Sequence, residues 1–158
     1  ICMPKKFNNN LIVYENTVYS EMITVKELID SFNKELLNNN KNEINLEYLT
    51  VVDNTYYIGL FQDIILFITP INMKNIEEDI VYQMGIIIDN DSFNYDLALL
   101  YYRILAIANN EFLFDISYII NEVVTTEKTI DQNNGLLFTK ISDSNEINFV
   151  IERKYKAS

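Results

Sequence analysis

The sequence predicts an α+β fold. A mainly antiparallel sheet (a three-strand meander plus a C-terminal hairpin) is packed with an N-terminal amphipathic helix and a central apolar helical pair. Three stretches carry that expectation. TVKELIDSFNKELL (24–37) repeats its apolar residues at helical spacing, and residues 44–71 break into three short runs separated by polar pairs. GLLFTKI-SDSN-EINFVIERK, close to the C-terminus, reads as strand, turn and strand.

Taken in order, LIVYENTVY (11–19) is rich in β-branched and aromatic residues and reads as a strand or hairpin arm. In the helix that follows, Val25, Leu28, Ile29, Phe32, Leu36 and Leu37 form one stripe. Thr24, with Glu27 three residues on, has the spacing of a capping box, and the asparagines at 38–40 close the helix. INLEYLTVV and TYYIGLF are joined by Asp53-Asn54, and Gln62-Asp63 leads into IILFITPI, apolar on both faces as a central strand is. Pro70 ends it. NIEEDIVYQM places apolar residues at 76, 80, 81 and 84, a helical spacing that Gly85 would stop, with IIID as a short buried strand after it.

Residues 97–108, LALLYYRILAIA, carry one charge, Arg103, in a chain of formal net charge -11. From Tyr95 to Ala108 the segment is apolar nearly all round, so as a helix it must be buried in a core or against a second subunit. Asp91 or Ser92 is the expected cap. After Asn109-Asn110, FLFDISYIINEVV resumes with Phe112, Ile116, Ile119, Ile120, Val123 and Val124 on one face. Together the two segments offer more apolar surface than one helical layer on a sheet requires. Self-association is therefore expected through Leu100, Tyr101, Ile104, Leu105, Ile116 and Ile120. Arg103 needs a carboxylate or carbonyl partner from another element, or a place on the rim where its stem packs and its head meets water. Asp96 and Glu111, seven and eight residues away, are poorly offset for a direct pair.

A length of 158 residues fits one domain, 1–158, with 1–9 expected as a disordered or non-native arm, in which Ile1-Cys2 precede a native Met3. Hydrophobic residues at 49% and charged residues at 22% mark a globular chain. The abundance of Ile and Asn points to a genome rich in A and T. Asp and Glu outnumber Lys and Arg by 23 to 12, which that codon bias does not explain. Such acidity argues against nucleic acid and against anionic membranes as partners, and it suits a basic protein partner or plain solubility. Cys2 has no second cysteine to pair with, no leader is visible, and no apolar run reaches the roughly 18 residues of a membrane span. A cytoplasmic location is expected.

The chain contains no histidine, which removes the usual nucleophile–imidazole systems and the commonest zinc ligands. Gly59, Gly85 and Gly135 are too scattered to form a phosphate-cradling loop. No catalytic residue, metal or cofactor is expected. Two carboxylate groupings stand out. Asp89, Asp91 and Asp96 precede a helix, but a calcium loop would need an oxygen ligand at Phe93, glycine at Asn94 and glutamate at Leu100. Asp143, Glu152 and Lys154 on the closing hairpin have the composition of a metal-dependent nuclease centre. Asp143 falls in the turn, however, and Glu152-Arg153-Lys154 reads as a charged tail.

The functional expectation is a non-catalytic acidic protein-interaction module, in an inhibitor, immunity or secretion-chaperone-like role. Asp89, Asp91, Glu77 and Glu78 are its candidate contacts with a basic protein, Asp89 and Asp91 because they project from a loop beside a rigid element. The order helix, three strands, helix over 24–108 is loosely similar to small acidic secretion chaperones, and the closing hairpin departs from them. A subunit of a larger, even viral, assembly is the alternative, and a carboxylate-based nuclease comes third.

Overall fold

A computed structural model describes residues 19–110, 113, 115–132 and 134–156. The expected arm at 1–9, most of the LIVYENTVY strand, Glu111 and Phe112 lie outside the described residues. Among those described, α1 (Val25–Asn38) leads into the meander β1 (Thr50–Val52), β2 (Thr55–Phe61) and β3 (Ile64–Pro70). Then come β4 (Val81–Asp89), α2 (Tyr95–Asn109) and α3 (Ile116–Thr126). The chain closes with β5 (Ile130–Gln132), β6 (Leu136–Ser142) and β7 (Glu146–Arg153). The strands form one antiparallel sheet in the order β1-β2-β3-β4-β7-β6-β5.

The meander follows its turn chemistry. Asp53 and Asn54 both have positive φ (49° and 61°), which matches the twist of the two strands they join. Thr24 caps α1 as its spacing predicts: its hydroxyl accepts from Glu27 N at 3.1 Å, and Glu27 Oε1 accepts from Thr24 N at 3.1 Å. Val25, Leu28, Ile29, Phe32 and Leu36 are buried, and Leu37, at the edge of the stripe, is exposed.

NIEEDIVYQM is not a helix. A turn at 76–78 leads directly into the nine-residue strand β4, which occupies the middle of the sheet. The apolar spacing misleads because a central strand buries both faces, so its pattern loses the period of two. Gly85 is mid-strand rather than a helix stop. A Cβ there would meet the Phe149 carbonyl oxygen and lie 2.6 Å from Phe67 Cε1.

The main core lies between one sheet face (Ile58, Leu66, Ile86, Phe149, Ile151, Phe138) and the three helices. α2 rests on β4 with α1 on one side and α3 on the other, which accounts for its greasy sequence. Three of its sides are packed, and Arg103 is exposed on the fourth. No side chain caps α2: Asn94 is its N-cap, and Ser92 Oγ accepts instead from Asn94 N at 2.9 Å. On the opposite sheet face Phe67, Ile87 and Val150 form a second buried cluster, with Tyr57 and Ile65 partly buried beside it.

Candidate functional site

The strand alternation of β7 sets up the main cleft. Ile147, Phe149 and Ile151 face the helices, and the same period places Arg153 on that face at the strand's end. Arg153 is 4% exposed, Lys154 1% and Tyr155 0%, so the expected charged tail is interior. Arg153 Nε donates to Tyr155 Oη at 3.1 Å, Nη1 to Asn109 Oδ1 at 3.0 Å and Nη2 to Glu21 O at 2.5 Å. Tyr155 Oη in turn donates to Val81 O, and burial pushes its pKa up to about 12, so it stays a neutral donor. Asn109 Nδ2 donates to Leu105 O at 2.9 Å, which fixes its oxygen toward the guanidinium.

Above this arginine lies a cleft of about 670 Å³, within the roughly 300–1,000 Å³ common for ligand sites. One wall is the turn-spaced row Glu27, Ser31 and Glu35 of α1 with Lys34 beside it; the other is the end of α2 with Asn109 and Asn110. Tyr19, Glu21 and Asn134 complete the rim. The segment 19–23 is pinned there, since Ser20 N donates to Lys154 O at 2.6 Å and Ser20 Oγ to Gly135 O at 2.6 Å. Gly135, at φ +81°, has room for that crossing only without a side chain. The cleft thus carries three carboxylates, one surface lysine and a rigid buried guanidinium whose acceptors are all neutral. It can hold a basic group at the rim and an anionic group at the base.

The sequence-predicted residues are distributed otherwise. Glu77, Glu78, Asp89 and Asp91 are all exposed, but they sit at opposite ends of β4, roughly 26 Å apart at strand rise. They are two separate loops, not one patch. Of the expected self-association residues, Tyr101, Ile104, Leu105 and Ile120 are buried within this chain, because α2 is enclosed on three sides. Leu100 and Ile116 are half-buried, and Leu100 and Ile120 line a shallow groove of about 340 Å³ between α2 and α3.

Asp143, Glu152 and Lys154 do not assemble. Asp143 closes the β6–β7 turn, its Oδ1 accepting from Asn145 N at 2.7 Å and Glu146 N at 2.8 Å, which holds its carboxyl below the usual range. Glu152 is roughly 20 Å up the strand from Glu146, on the second sheet face, and Lys154 pairs with Asp131. Glu152 Oε1 accepts from Tyr82 Oη at 2.7 Å and Gln83 Nε2 at 2.8 Å, and burial pushes its pKa up to about 7. Among the described residues no group of three acids is placed to hold a metal ion, and no helix is long and apolar enough to cross a membrane.

No protein-family model, curated protein or solved structure matches the chain.

Proposed function

We propose that this chain is a non-catalytic protein-interaction module, and that the cleft between α1, the end of α2 and β6–β7 receives a basic segment of a partner protein. The observation that carries this reading is the acid-lined rim. Glu21, Glu27 and Glu35 surround one opening over a chain whose formal charge is already -11. A field of that sign attracts a basic partner and raises its encounter rate. The exposed loops with Glu77, Glu78, Asp89 and Asp91 add to the same field without forming a second contact patch.

The test compares the wild-type chain with Glu21→Gln/Glu35→Gln, a pair that leaves the Glu27 cap intact. A basic protein captured from the source cell should associate more slowly with the double variant. Its on-rate with the wild type should fall steeply as the Debye length shrinks from about 10 Å at 0.1 M salt to about 3 Å at 1 M. A partner whose on-rate ignores both salt and the substitutions removes this reading.

Membership of a larger assembly, including a homo-oligomer, is the second reading, and the α2–α3 groove favours it. Leu99, Leu100, Ile120 and Val124 line that groove, and Tyr118 and Phe93 are exposed elsewhere on the surface. Sedimentation of the wild type and of Leu100→Glu tests it. A wild type that stays monomeric at tens of micromolar ends it.

A further inference from the structure

Arg153 is the cleft residue that the basic-segment reading leaves unused. Its guanidinium carries five N–H groups. Three are taken by Tyr155 Oη, Asn109 Oδ1 and Glu21 O, all neutral acceptors. Among the described residues no carboxylate lies within ion-pair distance of it, whereas Lys26, Lys140 and Lys154 each have one. Neutral acceptors satisfy hydrogen bonds but leave the charge uncompensated, and a buried cation without a counter-charge is costly. Asn134 Oδ1, at the same cleft, is likewise buried without a partner.

We infer that Arg153 is the receptor for a carboxylate of the bound segment, so that the partner inserts a carboxylate to the base of the cleft with a basic residue beside it at the rim. This rests on the protein-binding reading above and names the chemistry of what enters. The planar fork of an arginine held on three sides suits a carboxylate, which accepts two parallel hydrogen bonds. A phosphate dianion fits less well, since Glu21, Glu27 and Glu35 repel a second negative charge. The same three acids favour a lysine or arginine next to the inserted group. The carboxylate could be a chain terminus or an acidic side chain, and the two sources share this chemistry.

Three short peptides separate the possibilities by NMR on the wild-type protein. The probes are acetyl-Lys-Ala-Ala as the free acid, the same peptide as its C-terminal amide, and acetyl-Lys-Asp-Ala as the amide. The Arg153 Nε–H, the Asn109 side-chain amide and the backbone amides of Ser31 and Glu35 are followed up to tens of millimolar. The free acid should shift the Arg153 and Asn109 signals and bind about tenfold or more tightly than its amide, the worth of one charge-assisted hydrogen bond. A stronger response to the Asp-containing amide assigns the site to side-chain carboxylates, a response to the free acid alone assigns it to chain termini, and equal responses mean that it accepts either. Equal binding of all three, with shifts only at Ser31 and Glu35, overturns the inference and leaves the basic-segment reading standing. No shift at either place with any peptide overturns both. Arg153→Lys, checked for its fold by circular dichroism, should lose the difference between acid and amide.

Discussion

Arg153 Nη1 donates to Asn109 Oδ1 at 3.0 Å, joining the last residue of β7 to the last residue of α2. The same guanidinium reaches Glu21 O at 2.5 Å, so one side chain ties the segment before α1, the end of α2 and the end of the central sheet. The base of the cleft is therefore also a structural joint. Asn109→Ala removes that acceptor from a half-buried position and frees the α2 end. It should cost about 1–3 kcal/mol of stability, read as an earlier urea midpoint with unchanged slope. A loss within a few tenths of a kcal/mol would mean water replaces the amide without penalty.

The glycines of the sheet should respond in opposite ways. At Gly85 a Cβ meets the Phe149 carbonyl and the Phe67 ring, and because one obstacle is backbone the strand itself must shift. Gly85→Ala should cost about 3 kcal/mol or more. At Gly59 a Cβ has nothing within 4 Å, and Gly59→Ala should be neutral or stabilising by up to about 1 kcal/mol, since alanine has less chain entropy to lose. Thermal melts of the two variants decide it. Equal effects would mean that β4 is not packed between Phe67 and Phe149.

How far the sequence was legible follows from which faces each element buries. α1 has one buried face and an exposed back, so its period and cap stand out, and only Leu37 falls on the wrong side. The meander and the closing hairpin are announced by Asp53-Asn54 and SDSN. β4 was hidden because Val81 to Ile88 is almost all apolar, and a run apolar on both faces has no period to distinguish strand from helix. The apolar surface of α2 signals burial, and α1 and α3 within the chain supply cover for it. At the site, Glu152-Arg153-Lys154 has the composition of a charged tail, yet Ile147, Phe149 and Ile151 already set the alternation that turns Arg153 inward. That signal was present in EINFVIER. The hydrogen-bond partners at Asn109 and Glu21 O, 44 and 132 residues away, had no local trace.

Asn148 sits mid-strand on the second face, paired in register with Ile87 and Ile141, and it is fully buried. Neither its Nδ2 nor its Oδ1 has a hydrogen-bond partner. An unsatisfied buried amide costs about 1–3 kcal/mol, and a β-branched apolar residue suits that position in a central strand. Asn148→Val should therefore raise the melting temperature. A fall would reveal that the amide is satisfied by something specific, such as an ordered water, and would make Asn148 a candidate functional group.

Glu152 gives the fold a pH dependence whose sign can be stated in advance. Burial against Tyr82, Gln83 and the sheet lifts its carboxyl from 4.5 to about 7, partly opposed by the charge of Lys154. A carboxyl with a folded value above its unfolded one holds its proton more tightly in the folded state. Folding then takes up a proton between those two values, and stability falls as the pH rises through that window. Below it both states are protonated and there is no penalty; above it both are ionised and the full penalty is present. Glu152→Gln keeps an oxygen where Tyr82 and Gln83 donate and removes the ionisation. The variant should match the wild type below about pH 4 and be the more stable protein near pH 8, with the gap opening between. Urea midpoints of both proteins across that range provide the test. A constant gap would mean that Glu152 does not titrate there, and a variant less stable near pH 8 would mean that its charge is held by Lys154 rather than resisted by burial.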